Sequence, residues 1–544
     1  MCAAPTAFLP AGNRRINVPQ ILMAAGLVGL FAAIPLAYII VRALGAEAEA
    51  WNRLLQVRMW ILLRNTLLLA VTVTIGSTVI GVGTAWLTER SDLPGRKIFR
   101  WLLAMPLAIP AYIGGIVHLT LMRPRGGLFP KLLEDLTGIS MPGFNPLGLW
   151  GATFILVLFS YPYIYLLSAA AFRSLNASIE EASKTMGRST RQTFWQVVLP
   201  TLRPGIAAGM LLVALDVLAE YGTVALLRYE TFTSAIFVQL AGRFDRSAAS
   251  ILSGVLVVLA MLILWAELRV QGQRRYTQME SQWRPAAAVS LGKWKYPALT
   301  LTLGVICLSL LVPVTVLAAW SLQALLSPEA LNGVLRSGSR GFGSYTWNSL
   351  WTSAMAAFLA VQLTLPAAYL VARYPNRMSR FLSRICQVGY AIPGVVIALS
   401  LLFIVNRSFP FLYATPLVVV IAYVLRHMPQ AVRGSEAAIA QVSATLEEAG
   451  LMLGRTAKQT FFKVTLPLAL PGMLAGAALV FLTSLKELPA TLLLRPAGFD
   501  TLAVRAWIWA VDGSYVQAAP AALLLVLISA VPLTFLLHRE KLSA

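Results

Sequence analysis

Twelve stretches of about 20 apolar residues punctuate this chain, each long enough to cross a bilayer core roughly 30 Å thick as a helix. They lie at approximately 21–42, 62–87, 99–122, 148–171, 206–227, 249–267, 297–320, 349–372, 382–405, 411–432, 473–494 and 518–538. The stretches at 411–432 and 473–494 are the weakest, because each contains or adjoins charge. Hydrophobic residues make up 58% of the 544 and charged residues 12%, about half the usual charged fraction of a globular chain. A soluble fold of this size has too little interior to hide that surface. Lipid requires every backbone polar group to be satisfied within the segment, and helices achieve this. The reading is an all-α polytopic membrane protein.

Arg14 and Arg15 precede a first apolar run longer than the 7–15 residues of a signal peptide, so it reads as an uncleaved span. Lys and Arg favour cytoplasmic loops. With the N-terminus inside, well over half of the 44 fall on the cytoplasmic pieces, and both termini come out cytoplasmic. The same bias accounts for the net charge of +22 without nucleic acid. The division expected is a cytoplasmic tail 1–20, a six-span half 21–268, a basic cytoplasmic linker 269–295 and a second six-span half 296–544. Three dispersed cysteines and three scattered histidines support neither a disulfide framework nor a metal cluster.

The two halves repeat. Residues 180–209 and 447–476, offset by 267, agree at 15 of 30 positions. At the same offset Glu220 falls on Glu487, and Leu226-Leu227-Arg228 on Leu493-Leu494-Arg495. Upstream, at an offset of 283, Asn65 meets Asn348 and Ile109-Pro110 meets Ile392-Pro393. Six spans per half give parallel repeats related by an axis along the membrane normal, not inverted ones.

The most strongly repeated segment lies between the fourth and fifth spans of each half, at 180–205 and 447–472. A polar, helix-forming piece meets Gly187 or Gly454, where glycine permits a left-handed turn. A short amphipathic piece follows. Leu199-Pro200 and Leu466-Pro467 are expected to end it, and Pro204-Gly205 and Pro471-Gly472 to open the next span. Helix, turn, helix makes a knob suited to docking on another protein.

The pattern E-A-x(4)-G-x(11)-L-P resembles the EAA loop of ABC importer permeases. It stands here as Glu181, Ala182, Gly187, Leu199, Pro200 and as Glu448, Ala449, Gly454, Leu466, Pro467. Ser183 and Gly450 replace the alanine frequent at the next position. The resemblance implies the type I ABC importer permease fold in a bacterial inner membrane. It also implies two ATPase subunits docked on the knobs at the cytoplasmic face, and a periplasmic substrate-binding protein at the outer face. This chain carries no G-x(4)-G-K-[ST] loop for phosphates. It is therefore expected to be no enzyme and to bind no cofactor, with ATP and Mg on the partner subunit.

For the cargo, the fused halves with residues 219–237 and 485–503 resemble iron(III)-uptake permeases fed by a ferric-binding protein; thiamine, polyamine and phosphonate permeases stay open. Ferric iron is a hard cation suited to oxygen ligands. Asp216 and Glu220 are expected one turn apart on one helix face, with Tyr221 beside them and Lys486-Glu487 at the equivalent place. Glu220 and Glu487 lie 15 residues beyond Gly205 and Gly472, roughly 22 Å along a helix. Buried acids in a span are costly and functional by default, and these two are the candidate transient metal contacts. The bland alternative pairs them with Arg228, Lys486 or Arg495 as bundle supports. His118 reads as a satisfied interior histidine, and Gly205-x(3)-Gly209 and Gly472-x(3)-Gly476 as close helix contacts. An ion-coupled secondary carrier would explain intramembrane acids but has no use for two docking knobs. No HExxH or GxSxG motif supports a membrane enzyme.

Overall fold

A computed structural model describes residues 18–55, 58–123, 127–137, 145–270, 288–328, 341–390 and 392–542. Most of the tail and of the linker, and parts of the loop 123–146, lie outside the described residues. Among the described residues there is no strand, only an isolated bridge between Ser91 and Val289.

All twelve apolar stretches become helices, with altered ends. Nine are uninterrupted and apolar enough to span: Pro19–Leu44, Arg58–Arg90, Leu149–Arg173, Arg191–Ala219, Arg246–Ala266, Gly292–Leu326, Gly341–Arg373, Ala457–Leu485 and Tyr515–His538. The tenth span, Pro416–Gln441, is long enough but carries Arg426, His427, Arg433 and Glu436. The third and ninth spans are broken. Arg96–Ala108 meets Ala111–Leu121 at 95°, and Arg377–Tyr390 meets Gly394–Ser408 at 102°.

Proline explains both breaks. Pro110 and Pro393 lack an N–H and disfavour the α region for Ile109 and Ile392 before them, and Ile109 is extended with φ −95° and ψ 118°. The first of these broken spans still crosses. Arg100 at the start of one and Arg173 at the end of the fourth span both reach Glu89, at 2.7 and 3.0 Å. Span four thus returns the chain to the end where span three began. In the second half Arg373, at the end of the eighth span, reaches Glu447 at the start of the second knob. With each bent pair taken as one span, the described residues hold up to eleven candidate spans, with the more polar Pro416–Gln441 beside them.

Small residues let spans four and five, and ten and eleven, approach closely, as the Gly-x(3)-Gly spacing suggested. A Cβ on Gly209 would lie 2.9 Å from Ile164 Cα, and one on Gly472 would lie 2.6 Å from Ala438 Cβ. The halves also exchange their first spans. Val18–Leu44 packs on Gly341–Arg373, Arg377–Cys386 and Gly394–Ser408 of the second half, with Tyr38 stacked on Phe403 at 6.0 Å. The seventh span reaches back to the first half, where Tyr161 hydroxyl and Ser309 Oγ lie 3.4 Å apart.

Candidate functional site: two repeated knobs and a charged centre

Each knob begins with a capped helix, Ala177–Thr185 or Ala444–Met452, whose first amides bond to Asn176 and Ser443 side chains. The turn expected at glycine is present: φ is +82° at Gly187 and +87° at Gly454. Ser189 with Gln192, and Thr456 with Gln459, then form reciprocal capping pairs that restart the helix.

The Leu-Pro pairs do not end this second limb. Arg191–Ala219 and Ala457–Leu485 run continuously from knob into membrane. A π turn at Phe194–Val198 and another at Phe461–Thr465 precede Leu199 and Leu466. Pro200 and Pro467 cannot donate to the carbonyl four residues back, and the wider turn absorbs that lost bond. Pro204 and Pro471 likewise lie inside the helices. Each knob is therefore a rigid extension of the fifth or eleventh span.

What ties the knobs down was not singled out in the sequence. Arg90 pairs with Glu180 at 2.8 Å, and Arg373 with Glu447 at 2.8 Å. Both partners recur at the two offsets, so the signal was present. Glu181 and Glu448, the motif acids, are exposed instead, as are Ala182, Ala449, Gly187 and Gly454. The residue after the motif alanine faces the second limb: Ser183 Oγ lies 3.1 Å from Thr193 Oγ1. A Cβ on Gly450 would already sit 3.0 Å from Thr460, so only small residues fit there. Met186, Trp195, Met452, Leu453 and Phe462 project outward, exposed.

The membrane centre departs from the expected symmetry. Asp216 and Glu220 do not stack on one helix face, because the helix stops at Ala219 and Glu220 is extended. Its carboxylate accepts the Thr223 N–H at 2.7 Å and so caps the short helix Gly222–Leu226. Glu487 also follows a helix end, but Arg426 binds it at 3.1 Å and His427 Nε2 lies 3.8 Å away. A side chain on Gly394 would collide with Glu487 Oε1. The carboxylate thus rests on the first turn of Gly394–Ser408, where free amides favour an anion. At the 267 offset Arg426 corresponds to Phe159, and the first half has no such base. Arg495 pairs with Asp500 rather than with Glu487.

The segments that follow the two acids nevertheless meet. Gly222 lies against Tyr112 and Leu488, so the segments after Glu220 and Glu487 touch across the half boundary. Tyr112 is within electrostatic range of both acids, and Asp216 of Lys486 and Arg426. Outside them, at the end opposite the knobs, opens a vestibule of about 770 Å³ lined by Arg123, Arg228, Phe237, Trp507 and Tyr515. Buried Tyr221 forms its floor, 4.4 Å from Phe237 and 5.9 Å from Trp507, ring centre to ring centre. Among the described residues no group of three or more His, Cys, Asp or Glu is arranged to hold a metal ion. His118 stays interior, its Nδ1 2.8 Å from the Gly114 carbonyl.

The chain is 35% identical over 519 residues to an Fe(3+)-transport system permease protein of Haemophilus influenzae, covering 94% of this chain and 96% of that one. A ferric transport system permease protein of Actinobacillus pleuropneumoniae is 27% identical over 87% of this chain and 70% of its own length. A sulfate transport system permease protein of Salmonella typhimurium is 27% identical over 40% of this chain, the length of one half, and 79% of its own length. Residues 77–326 and 364–539 each match the model of the inner membrane component of binding-protein-dependent transport systems, and the chain belongs to that family.

Proposed function

We propose that this chain is the permease of an ATP-driven importer of ferric iron in a bacterial inner membrane. The observation that carries the cargo is the match to an Fe(3+)-transport permease along 94% of the chain, through both halves and the charged centre. In this reading the knobs face the cytoplasm, as do both termini. Glu181, Ala182, Gly187, Leu199, Pro200, Glu448, Ala449, Gly454, Leu466 and Pro467 belong to the surfaces and turns that meet two ATPase subunits. ATP and Mg are bound there and not by this chain. A periplasmic ferric-binding protein docks over the vestibule at the opposite end.

The continuous knob–span helices support a lever. Rotation of a knob by the ATPase would turn Arg191–Ala219 or Ala457–Leu485 as one piece and shift the segment carrying Glu220 or Glu487. Iron leaving its binding protein would pass Tyr221, then the carboxylates of Glu220 and Glu487, then Asp216. These are oxygen contacts of the right hardness for a trivalent ion, arranged for passage. Glu220 has no arginine partner corresponding to Arg426, so we assign it the larger share of cation contact.

The test is radioactive ferric uptake by proteoliposomes holding the permease, its ATPase and external binding protein. Glu220→Gln is expected to lower uptake at least about tenfold, one lost charge contact being worth roughly 1.5–3 kcal/mol, with complex assembly unchanged. Unaltered iron uptake in Glu220→Gln, or saturable uptake of sulfate or thiamine in its place, would overturn the reading.

A further inference from the structure

Arg426 and Lys486 both sit at the charged centre, and they are held differently. Arg426 is committed at two points: Nε to Glu487 at 3.1 Å and Nη1 to the Ile392 carbonyl at 2.9 Å. That carbonyl is freed by the bend at Pro393. Lys486, the first residue beyond Leu466–Leu485, donates its ammonium to the Leu107 carbonyl at 2.7 Å. Leu107 belongs to the other half. Its carbonyl would serve the amide four residues on in a continuous helix, but Ala111 lies on the limb turned away by 95°. Each proline bend thus leaves a carbonyl that a base from the second half covers.

Lys486 has no counterpart in the repeat, where Ala219 stands at the equivalent position. It lies within electrostatic range of Asp216 and Glu220, the two acids that Arg426 does not bind. A planar guanidinium held by two partners is fixed, whereas an ammonium on four flexible methylenes is a movable point charge.

We propose that Lys486 is a tethered cation that holds the cargo's electrostatic place between the halves and sets the charge a passing ion must carry. With no cargo, the ammonium balances Asp216 and Glu220 and latches the second half to the bend of the first. A trivalent ion at the same distance attracts these carboxylates three times as strongly as an ammonium does. It displaces the lysine and frees the Leu107 carbonyl. A monovalent ion has no such advantage and is refused. This inference rests on the cargo path proposed above and adds its selectivity and resting lock.

The experiment uses the permease assembled with its ATPase in proteoliposomes. It measures radioactive sodium leak and ATP hydrolysis without binding protein, neither of which involves iron. Lys486→Ala, which installs the residue of the other half, is expected to raise both about tenfold, the worth of one charge-assisted hydrogen bond. Lys486→Arg is expected to keep both low. Lys486→Gln retains an amide donor for the Leu107 carbonyl without the charge, and it decides the matter if the alanine variant fails to assemble. A leaky, hydrolysing glutamine variant supports the tethered charge. A tight and quiet one reduces Lys486 to a cap on the bend and overturns the proposal. A wild-type complex that imports no iron would sink the cargo assignment while leaving both readouts in force.

Discussion

At the residue scale the most consequential feature is the unequal treatment of Glu220 and Glu487. The sequence places them at equivalent positions, and the repeat argues for equal roles. Arg426 breaks the equality, and it was visible only as a charge that weakened the 411–432 stretch as a span. Nothing in one sequence says which way that side chain turns. Removing Arg426 strands a buried carboxylate and an uncovered carbonyl at Ile392. Arg426→Met is therefore expected to cost about 3–5 kcal/mol, the penalty for breaking a buried pair. Adding Glu487→Gln removes the stranded charge and should restore most of it. Thermal unfolding of the detergent-solubilised complex reads both. Equal melting temperatures for the single and double variants would refute the pairing as a stability element. Gly187 and Gly454 give a second test at this scale. A left-handed backbone costs an L-residue about 1–2 kcal/mol, more with a β-branch. Gly187→Val with Gly454→Val should reduce ATPase co-purification or transport per ATP hydrolysed. Normal coupling in that double variant would remove the knobs from the mechanism.

At the scale of elements, periodicity and length made the apolar helices legible, nine to eleven of them candidate spans, and the repeat located both knobs. The bends and the helix ends were not legible, because they depend on which carbonyls find a donor elsewhere. Ile109-Pro110 and Ile392-Pro393 stand out as repeated pairs, but a proline kink of about 20° and a break of about 100° look alike in sequence. Likewise the Leu-Pro pairs read as stops, and only the π turns show how a helix passes through them. One element falls on the margin of the linker. Val289 donates to the Arg90 carbonyl at 2.7 Å, and the Leu291 N–H and Lys295 hold Asp92. This strap joins the seventh span to the loop that clamps the first knob. The Leu291 N–H, with help from Lys295, keeps the Asp92 carboxyl below its usual range. A depressed carboxyl contributes its stability above the unfolded value, and loses it as pH falls through the folded one. The strap should then be intact from pH 8 down to about pH 4. Hydrogen exchange at residues 289–291, corrected for intrinsic rate, should show constant protection between pH 8 and 5 and lose it in Asp92→Asn. Protection that declines between pH 8 and 5 would mean that another group holds the strap.

On the scale of the whole molecule, the two halves are joined covalently through the linker, at the charged centre where Lys486 reaches Leu107, and by exchange of their first spans. Span one stacks Tyr38 on Phe403, and Ser400 Oγ donates to the Pro35 carbonyl at 3.1 Å. Span seven lies against the last span, with Trp320 stacked on Tyr515 at 6.0 Å, and returns to the first half at Tyr161. Helices in lipid associate through close packing and hydrogen bonds, and not through a hydrophobic drive. A braced interface of this extent should hold without the covalent link. Two fragments, 1–275 and 276–544, expressed together should therefore co-purify and transport iron at a rate within a few-fold of the intact chain. Deleting residues 1–44 from the first fragment removes the brace on Gly394–Ser408, against whose first turn the Glu487 carboxylate rests. That truncation should abolish co-purification even though it leaves both knobs and the whole first-half acid pair in place. Affinity capture through a tag on the second fragment measures the outcome directly. If the truncated pair stayed together as firmly as the full one, the halves would be held by the charged centre alone, and the exchanged spans would be packing without consequence for assembly.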